Sequence, residues 1–438
     1  MNILKNKFLK STIFVILLGL IAKLLSMIVK IYTTRTYGIE FMSIYSIVNP
    51  LMMFIIVMVQ FSLPYSISKL VAKNKEKRKD VLLSAYVISL SISLLVMTIL
   101  IIFSKELAIL LFKNIETKHS IMAIGVYAPL VTLTSIYKGY LIGNNKVEIT
   151  SFSQIFEEIA RLFFIYLTSS YFINKNISYG SMGIIVGMWI GEVFQMISLI
   201  LLNYKNKFNI KIINKNLFNT KTTSYKELLS ISLPITLSRL ITSFTFSLEP
   251  IIYTNISLRN NLTIDEITSN YGILQTYVNP ILFLPSFFIS SISIILLPNL
   301  TRLFHERKID KSKELFIKSL LLSILIGLIS SIFIFFFSKE ISSLLFKNNI
   351  GVKYIKVLAF PYILYYIESI LNTTLHSIDK EKIALKISIV ASIIRVILLY
   401  ILIPIFGFIG IEISMLISVL FIILINSFFI RKHLFLNI

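Results

Sequence analysis

Apolar stretches alternate with short polar ones along the whole chain, and each is long enough to cross roughly 30 Å of hydrocarbon as a helix of about 20 residues. In the first half their approximate limits are 11–32, 41–66, 81–103, 119–143, 148–173 and 180–203. In the second half they are 226–254, 270–300, 315–337, 352–378, 382–404 and 406–430. No two-residue alternation of the barrel kind accompanies them. Backbone groups in lipid must satisfy one another, so helices are predicted throughout. The expected fold class is an all-α polytopic membrane protein of about twelve transmembrane helices.

The polar pattern also repeats. Residues 103–114 and 337–348 share nine of twelve identities, beginning with Phe-Ser-Lys-Glu in both copies. The register then holds without a gap, so that Lys146 falls on Lys380, Arg161 on Arg395 and Tyr166 on Tyr400. A fixed internal period outranks local propensity as a signal. An even number of spans per half gives two parallel six-helix lobes, related by an axis along the membrane normal. The predicted organisation is an N-terminal lobe at 1–203, a basic cytoplasmic linker at 204–224 and a C-terminal lobe at 225–438. Charges followed by Leu110, Leu111 and Phe112 predict a short interfacial helix or frayed span end for the repeated segment.

Composition agrees with the spans. The 438 residues are 56% hydrophobic with a mean hydropathy of +0.84. The chain has no cysteine, which excludes disulfides and thiolate metal sites. The net charge of +22 does not point to nucleic acid, because the basic residues sit in loops between apolar spans. Lys5, Lys7 and Lys10 precede the first span, and Lys69 to Lys79 follow the second. Lys205 to Lys221 fill the central loop, Arg302 to Lys313 follow the eighth span, and Arg431 and Lys432 follow the last. That alternation predicts both termini in the cytoplasm of a multi-pass plasma-membrane protein. The first span carries Lys23 and Lys30 and lacks a small-residue cleavage site, so it is read as a retained span and not a signal peptide.

Ionisable groups inside spans are costly and usually face an internal cavity. Lys23 and Lys30 are seven residues apart, hence on one helical face. Arg239 holds a comparable place in the seventh span, with Arg35 as a further cation near the end of the first. Glu249, next to Pro250, either neutralises a nearby cation or carries a coupling ion; its spacing from Arg239 puts it on a different face. Gln154, Glu157, Glu158 and Arg161 cluster on the fifth span, where Glu157 and Arg161 form an i,i+4 pair. Val48-Asn49-Pro50 in the second span mirrors Val278-Asn279-Pro280 in the eighth, and Leu63-Pro64 mirrors Leu297-Pro298. Interrupted helices at matching places of two halves point to a transporter's central site, so Asn49 and Asn279 join the candidate cavity residues. Glu192, Glu368 and Glu412 are isolated acids with no assigned role.

Several of these stretches resemble a known family. Lys23-Leu24-Leu25-Ser26 through Lys30-Ile31, followed by Arg35-Thr36-Tyr37-Gly38, looks like the first-span pattern of the stage V sporulation protein B group. That group belongs to the polysaccharide-biosynthesis branch of the MOP (multidrug, oligosaccharidyl-lipid, polysaccharide) exporter superfamily, which also contains the MATE transporters. Residues 63–72 resemble its LPxxISKLVA segment. Tyr137-Lys138-Gly139-Tyr140-Leu141 and the stretch from Ser153 to Arg161 resemble its YRGYxQG and SQxxEQxxR motifs, with Lys138 for Arg and Glu158 for Gln. The resemblance covers nearly the whole chain. It implies two six-helix lobes, with spans one, two, seven and eight lining a cavity. It also implies flipping of a polyprenyl-pyrophosphate-linked saccharide to the outer leaflet by alternating access. Several relatives carry fourteen spans. The pair that forms a lipid-tail groove in lipid II flippases is not expected among the twelve read here.

A pyrophosphate head group needs cations in a cavity, and Lys23, Lys30, Arg35 and Arg239 are the candidates. The alternative is a MATE-like cation-coupled multidrug exporter, which would want acidic cavity residues to dominate. A membrane-embedded glycosyltransferase or polymerase would need a large outer loop rich in acids. The longest such loop, near 254–269, offers only Asp265 and Glu266, so no enzyme is expected. No cofactor or metal is expected, and a proton or Na+ gradient remains a candidate driving force. The expected partners are the lipid-linked saccharide, membrane lipids and enzymes of glycosyl transfer or cell-wall synthesis.

Overall fold

The computed structural model describes residues 2–73, 78–204 and 222–436. Lys75, Lys77 and the basic residues from Lys205 to Lys221 lie outside the described residues, as does most of the expected linker. The first half runs α1 Asn2–Gln60, α2 Leu63–Lys73, α3 Arg78–Ile102, α4 Ser104–Phe112, α5 Lys118–Gly143, α6 Val147–Ile173 and α7 Ile177–Leu202. Then come α8 Thr222–Arg259, α9 Ile264–Ile273, α10 Asn279–Leu282, α11 Ser286–His305 and α12 Ile309–Phe346. The chain closes with α13 Val352–Leu358, α14 Ile363–Ser377, α15 Glu381–Phe406 and α16 Ile409–Ile430. This is a polytopic all-α membrane fold.

Among the described residues nine helices are long and apolar enough to cross a membrane, or ten if α13 and α14, bent by 52° at their break, are one span. One of the nine, Leu17–Ala72, is 56 residues long and takes in the first two expected spans. α6, the fifth expected span, is not among the nine and carries the charges Glu148, Glu157, Glu158 and Arg161.

Breaks follow backbone chemistry more closely than the hydropathy limits do. Within α1, Gly38 adopts φ 70° and ψ −176°, a region essentially reserved for glycine, and this bend separates the first two spans. The second span stops at Gln60 because Phe61 and Ser62 both take positive φ, 49° and 51°. The eighth expected span is in pieces: α9, a π turn at Leu274–Val278, α10, and α11 after Pro285. Here the expectation that matched prolines mark matched breaks is corrected. Pro64 and Pro280 open helices just after breaks, but their partners Pro298 and Pro50 lie inside helices. Pro285 and Pro361 stand at further interruptions, where a proline disfavours α geometry in the residue before it. The supposed outer loop near 254–269 is also mostly helical, since α8 runs to Arg259 and α9 starts at Ile264.

The sequence repeat is a structural repeat. Phe103 leaves helical geometry at φ −97°, ψ 19°, and Phe337 does so at φ −101°, ψ 18°. Each begins a short helix that ends at a left-handed lysine, Lys113 at φ 53° and Lys347 at φ 57°. Phe112 and Phe346 are buried at matching places. The short-helix expectation describes both copies.

Contacts divide the chain into a first unit, Met1–Ser247, and a second, Leu248–Ile438. The division falls inside α8, not in the 204–224 stretch, because the first half of α8 packs on the first unit. Leu228 joins a core with Leu63, Ile67, Val71, Leu82 and Ile136, and Thr236 Oγ1 donates to Ser62 Oγ at 3.1 Å. Two of the quoted motifs meet in that core. A Cβ on Gly139 would lie 3.0 Å from Ile67 Cβ and 3.1 Å from Leu63 O, so the helix pair α2–α5 needs glycine there. A second core in the first unit joins Val29, Tyr37 and Met42 of α1 to Ile165, Phe172 and Ile184 of α6 and α7. The second unit has its core at Phe316, Leu371, Leu375, Ile387 and Ile430, from α12, α14, α15 and α16.

Candidate functional site

Each unit holds a buried ionic cluster around an arginine at the matching position of the repeat. In the first unit, Arg161 Nη2 lies 2.6 Å from Glu157 Oε1, and Nη1 lies 3.1 Å from Glu158 Oε2. Helical spacing of four and three residues brings both carboxylates to one guanidinium. Their side chains are 11–15% exposed, so the charges need one another; an isolated ion here would cost several kcal/mol. Gln154, expected on the same stripe, is exposed and stands outside this clamp. Nearby elements add a second cluster. Buried Glu192 of α7 accepts from Tyr127 Oη at 3.4 Å, and Lys138 Nζ of α5 lies 4.0 Å away.

In the second unit, Glu249 on α8 is 1% exposed and forms an ion pair with Arg395 of α15. Glu249 thus finds its cation on another helix, and that cation is not Arg239. Beside the π turn, Asn279 Nδ2 donates to Glu412 Oε1 at 3.1 Å. Tyr362 Oη donates to Glu412 Oε2 at 2.6 Å and lies 2.9 Å from Asn279 Oδ1. Tyr366 Oη donates to Leu282 O, capping the carbonyl next to the break before α11. The matched Asn49 is used differently: it accepts from Tyr45 Oη, one turn away on α1, at 3.2 Å.

The remaining cations behave otherwise. Lys23, Lys30 and Arg35 on α1 and Arg239 on α8 are exposed. Among the described residues Lys30 and Arg239 form no ion pair. The arrangement therefore separates Arg161 and Arg395, compensated by carboxylates inside helix packing, from Lys30 and Arg239, which are exposed on α1 and α8. Sequence reasoning did not find Tyr362 or Tyr127, because single tyrosines in apolar spans carry no spacing signal. Glu192 and Glu412 were visible as lone acids, but their partners come from other helices.

The family described as "Lipid II flippase MurJ" matches residues 64–438. Stage V sporulation protein B of Bacillus subtilis (strain 168) is 25% identical over 439 residues, covering 98% of this chain and 85% of that protein. Capsular polysaccharide biosynthesis protein CapF of Staphylococcus aureus is 26% identical over 52% of this chain and 54% of its own length. Among solved structures, an inward-facing multidrug resistance MATE family transporter of the MOP superfamily has a TM-score of 0.72 at 15% identity, over 94% of each chain. Lipid II flippase MurJ in an inward closed conformation has a TM-score of 0.72 at 16% identity, over 95% of this chain and 87% of that one. At such identities the structural likeness shows the fold alone.

Proposed function

The chain belongs to the lipid II flippase MurJ family, and from that premise we propose that its substrate is a polyprenyl-pyrophosphate-linked saccharide, moved from the inner to the outer leaflet by alternating access. It is a multi-pass membrane flippase for a lipid-linked precursor, as the family match and the relatives support. The observation that supports the finer reading is the division of cations. Arg161 and Arg395 are held by buried carboxylates. Lys30 and Arg239 are exposed on helices that lie within apolar spans, and among the described residues neither forms an ion pair. A cation on an apolar span is stable where it meets water or an anion, and a pyrophosphate with its sugar supplies the anion. Phosphate oxygens are met by Arg as a bidentate fork and by Lys as a point charge. The likeness to a MATE transporter does not favour a drug-export reading, since fold alone does not assign cargo.

The direct test is complementation in a strain depleted of its flippase. Arg239→Ala and Lys30→Ala should each abolish rescue while membrane levels stay at the wild-type value. Full rescue by both variants would remove the cavity-cation reading. The orientation proposed has both termini in the cytoplasm. The chain contains no cysteine, so Glu76→Cys and Asn260→Cys can be labelled singly with an impermeant maleimide in intact cells. Labelling at 260 and protection at 76 are expected; the reverse would invert the topology. Enzymes that build the lipid-linked saccharide, or polymerise it after release, are the proposed functional partners. A proton or Na+ gradient is the proposed driving force. Collapse of each gradient in turn, followed by an outer-leaflet precursor assay, tests it.

A further inference from the structure

The second unit has an open cleft of about 620 Å³ at the end where α11 and α14 finish and α12 and α15 begin. That volume falls within the roughly 300–1,000 Å³ of sites that hold small ligands. None of the residues assigned above to transport lines it. Its floor is apolar, made by Phe304, Ile309 and Ile378. Its rim is basic: His305 closes α11, Arg307 follows in the turn, Lys380 precedes α15, and His433 comes from the chain's last turn. Arg307 and Asp379 sit in left-handed turns, at φ 56° and 57°, which hold the mouth in place.

Three acids near this cleft have basic partners. Asp379, the acidic lining residue, lies 3.3 Å from His305 Nε2. Glu306 is met by Lys308 Nζ at 2.7 Å, and Asp310 by Lys313 Nζ at 3.9 Å. Arg307 and Lys380 therefore bring more positive charge to the cleft than Asp379 removes. A cationic rim over an apolar floor, at the ends of membrane helices, matches a ligand with a phosphate head and an apolar shoulder. Basic pockets between helix ends capture lipid headgroups by this chemistry.

We propose that the cleft binds a phosphate-bearing ligand, either an anionic glycerophospholipid headgroup or free phosphate. Arg307 and Lys380 meet the phosphate oxygens, and Phe304, Ile309 and Ile378 take the adjoining apolar part. The site is separate from the cations proposed for cargo, so it stands or falls independently of the flippase reading.

Full-length protein in uncharged detergent can be titrated with phosphatidylglycerol, phosphatidylcholine or inorganic phosphate, with bound ligand counted by native mass spectrometry. Phosphatidylglycerol or phosphate should bind in preference to zwitterionic phosphatidylcholine. Arg307→Asn and Lys380→Gln should each weaken that binding by about fivefold, and the double variant by the product. Asp379→Asn, which keeps a residue tolerant of the left-handed turn, should strengthen it. Saturation by inorganic phosphate without preference for phosphatidylglycerol assigns the source as soluble phosphate. Phosphatidylglycerol binding that millimolar phosphate cannot displace assigns it as lipid. Binding by the double variant equal to the wild type would overturn the site, as would equal retention of the two lipids with no phosphate bound. Thermal unfolding qualifies each variant, and if the double variant unfolds, the two single variants carry the test.

Discussion

In the first unit Arg161 is neutralised by Glu157 and Glu158 of its own helix, while in the second unit Arg395, at the matching repeat position, is neutralised by Glu249 of a different helix. The same contrast holds for the matched asparagines. Asn49 is satisfied one turn away by Tyr45, whereas Asn279 joins Glu412 and Tyr362 from two other helices. At these two matched positions the first unit pairs its arginine and asparagine within one helix and the second pairs them across elements. A pair within one helix fixes no tertiary relation, because both partners move together. A pair between helices ties α8 to α15 and the broken eighth span to α14 and α16.

The contrast can be broken most strongly at Glu249. Glu249→Gln leaves Arg395 without its carboxylate, and breaking a buried pair in this way costs about 3–5 kcal/mol. A large fall in melting temperature in detergent is expected, and an unchanged one would mean that the pair is not formed. Glu157→Gln should cost less, about 1.5–3 kcal/mol, since Glu158 remains to meet Arg161. A sharper version relocates the acid. Ser392 occupies the repeat position of Glu158, so Glu249→Gln combined with Ser392→Glu rebuilds the first unit's local clamp in the second. It should regain roughly 1–2 kcal/mol of the stability lost in Glu249→Gln, without restoring the tie between helices. If the double variant is no more stable than Glu249→Gln, partner placement is not interchangeable between the halves. Tyr362→Phe removes a donor to Glu412 across helices and should cost about 0.6–1.7 kcal/mol, the range for interhelical hydrogen bonds in membranes. Tyr45→Phe, its local counterpart, should cost less than that in the same unfolding assay.

The smallest effect concerns the start of α9, which leads into the π turn before Asn279. The Thr263 backbone N–H and hydroxyl hold the Glu266 carboxyl below its ordinary range in a capping box. A lowered folded value means that the stabilisation is present above the unfolded carboxylate value, about 4.3, and is lost as pH falls through the lowered one. Protection of the first-turn amides of α9 against hydrogen exchange should therefore decline in acid, and Thr263→Ala should lower it at neutral pH. Equal protection in Thr263→Ala would show that the cap is dispensable.

Much of this architecture was legible in the chain. The apolar spans and the repeat arise from local causes, bilayer thickness and a duplicated pattern, whereas the bend at Gly38 was not read from the sequence and came with the structure. The Glu157–Arg161 pair was legible too, because helical periodicity alone brings those side chains together. Prolines misled, since a single missing donor inside a long helix is tolerated when packing holds the rest. Breaks fall at Phe61-Ser62, Pro285 and Pro361, and of the paired Asn-Pro motifs only Asn279-Pro280 stands at one, opening α10 after the π turn.

By itself, then, the sequence determined an all-α membrane protein of two related halves and a set of cations on the first helix of each. Only the tertiary structure decided that Glu249 belongs to Arg395, that Glu412 and Tyr362 secure Asn279, that the first half of α8 packs with the N-terminal unit, and that a basic cleft opens beside Arg307 and Lys380. The physical reason is separation along the chain. Helical periodicity reports neighbours three and four residues away, whereas Glu249 meets Arg395, and Phe304 and His433 line one cleft, only because packed helices bring distant turns together.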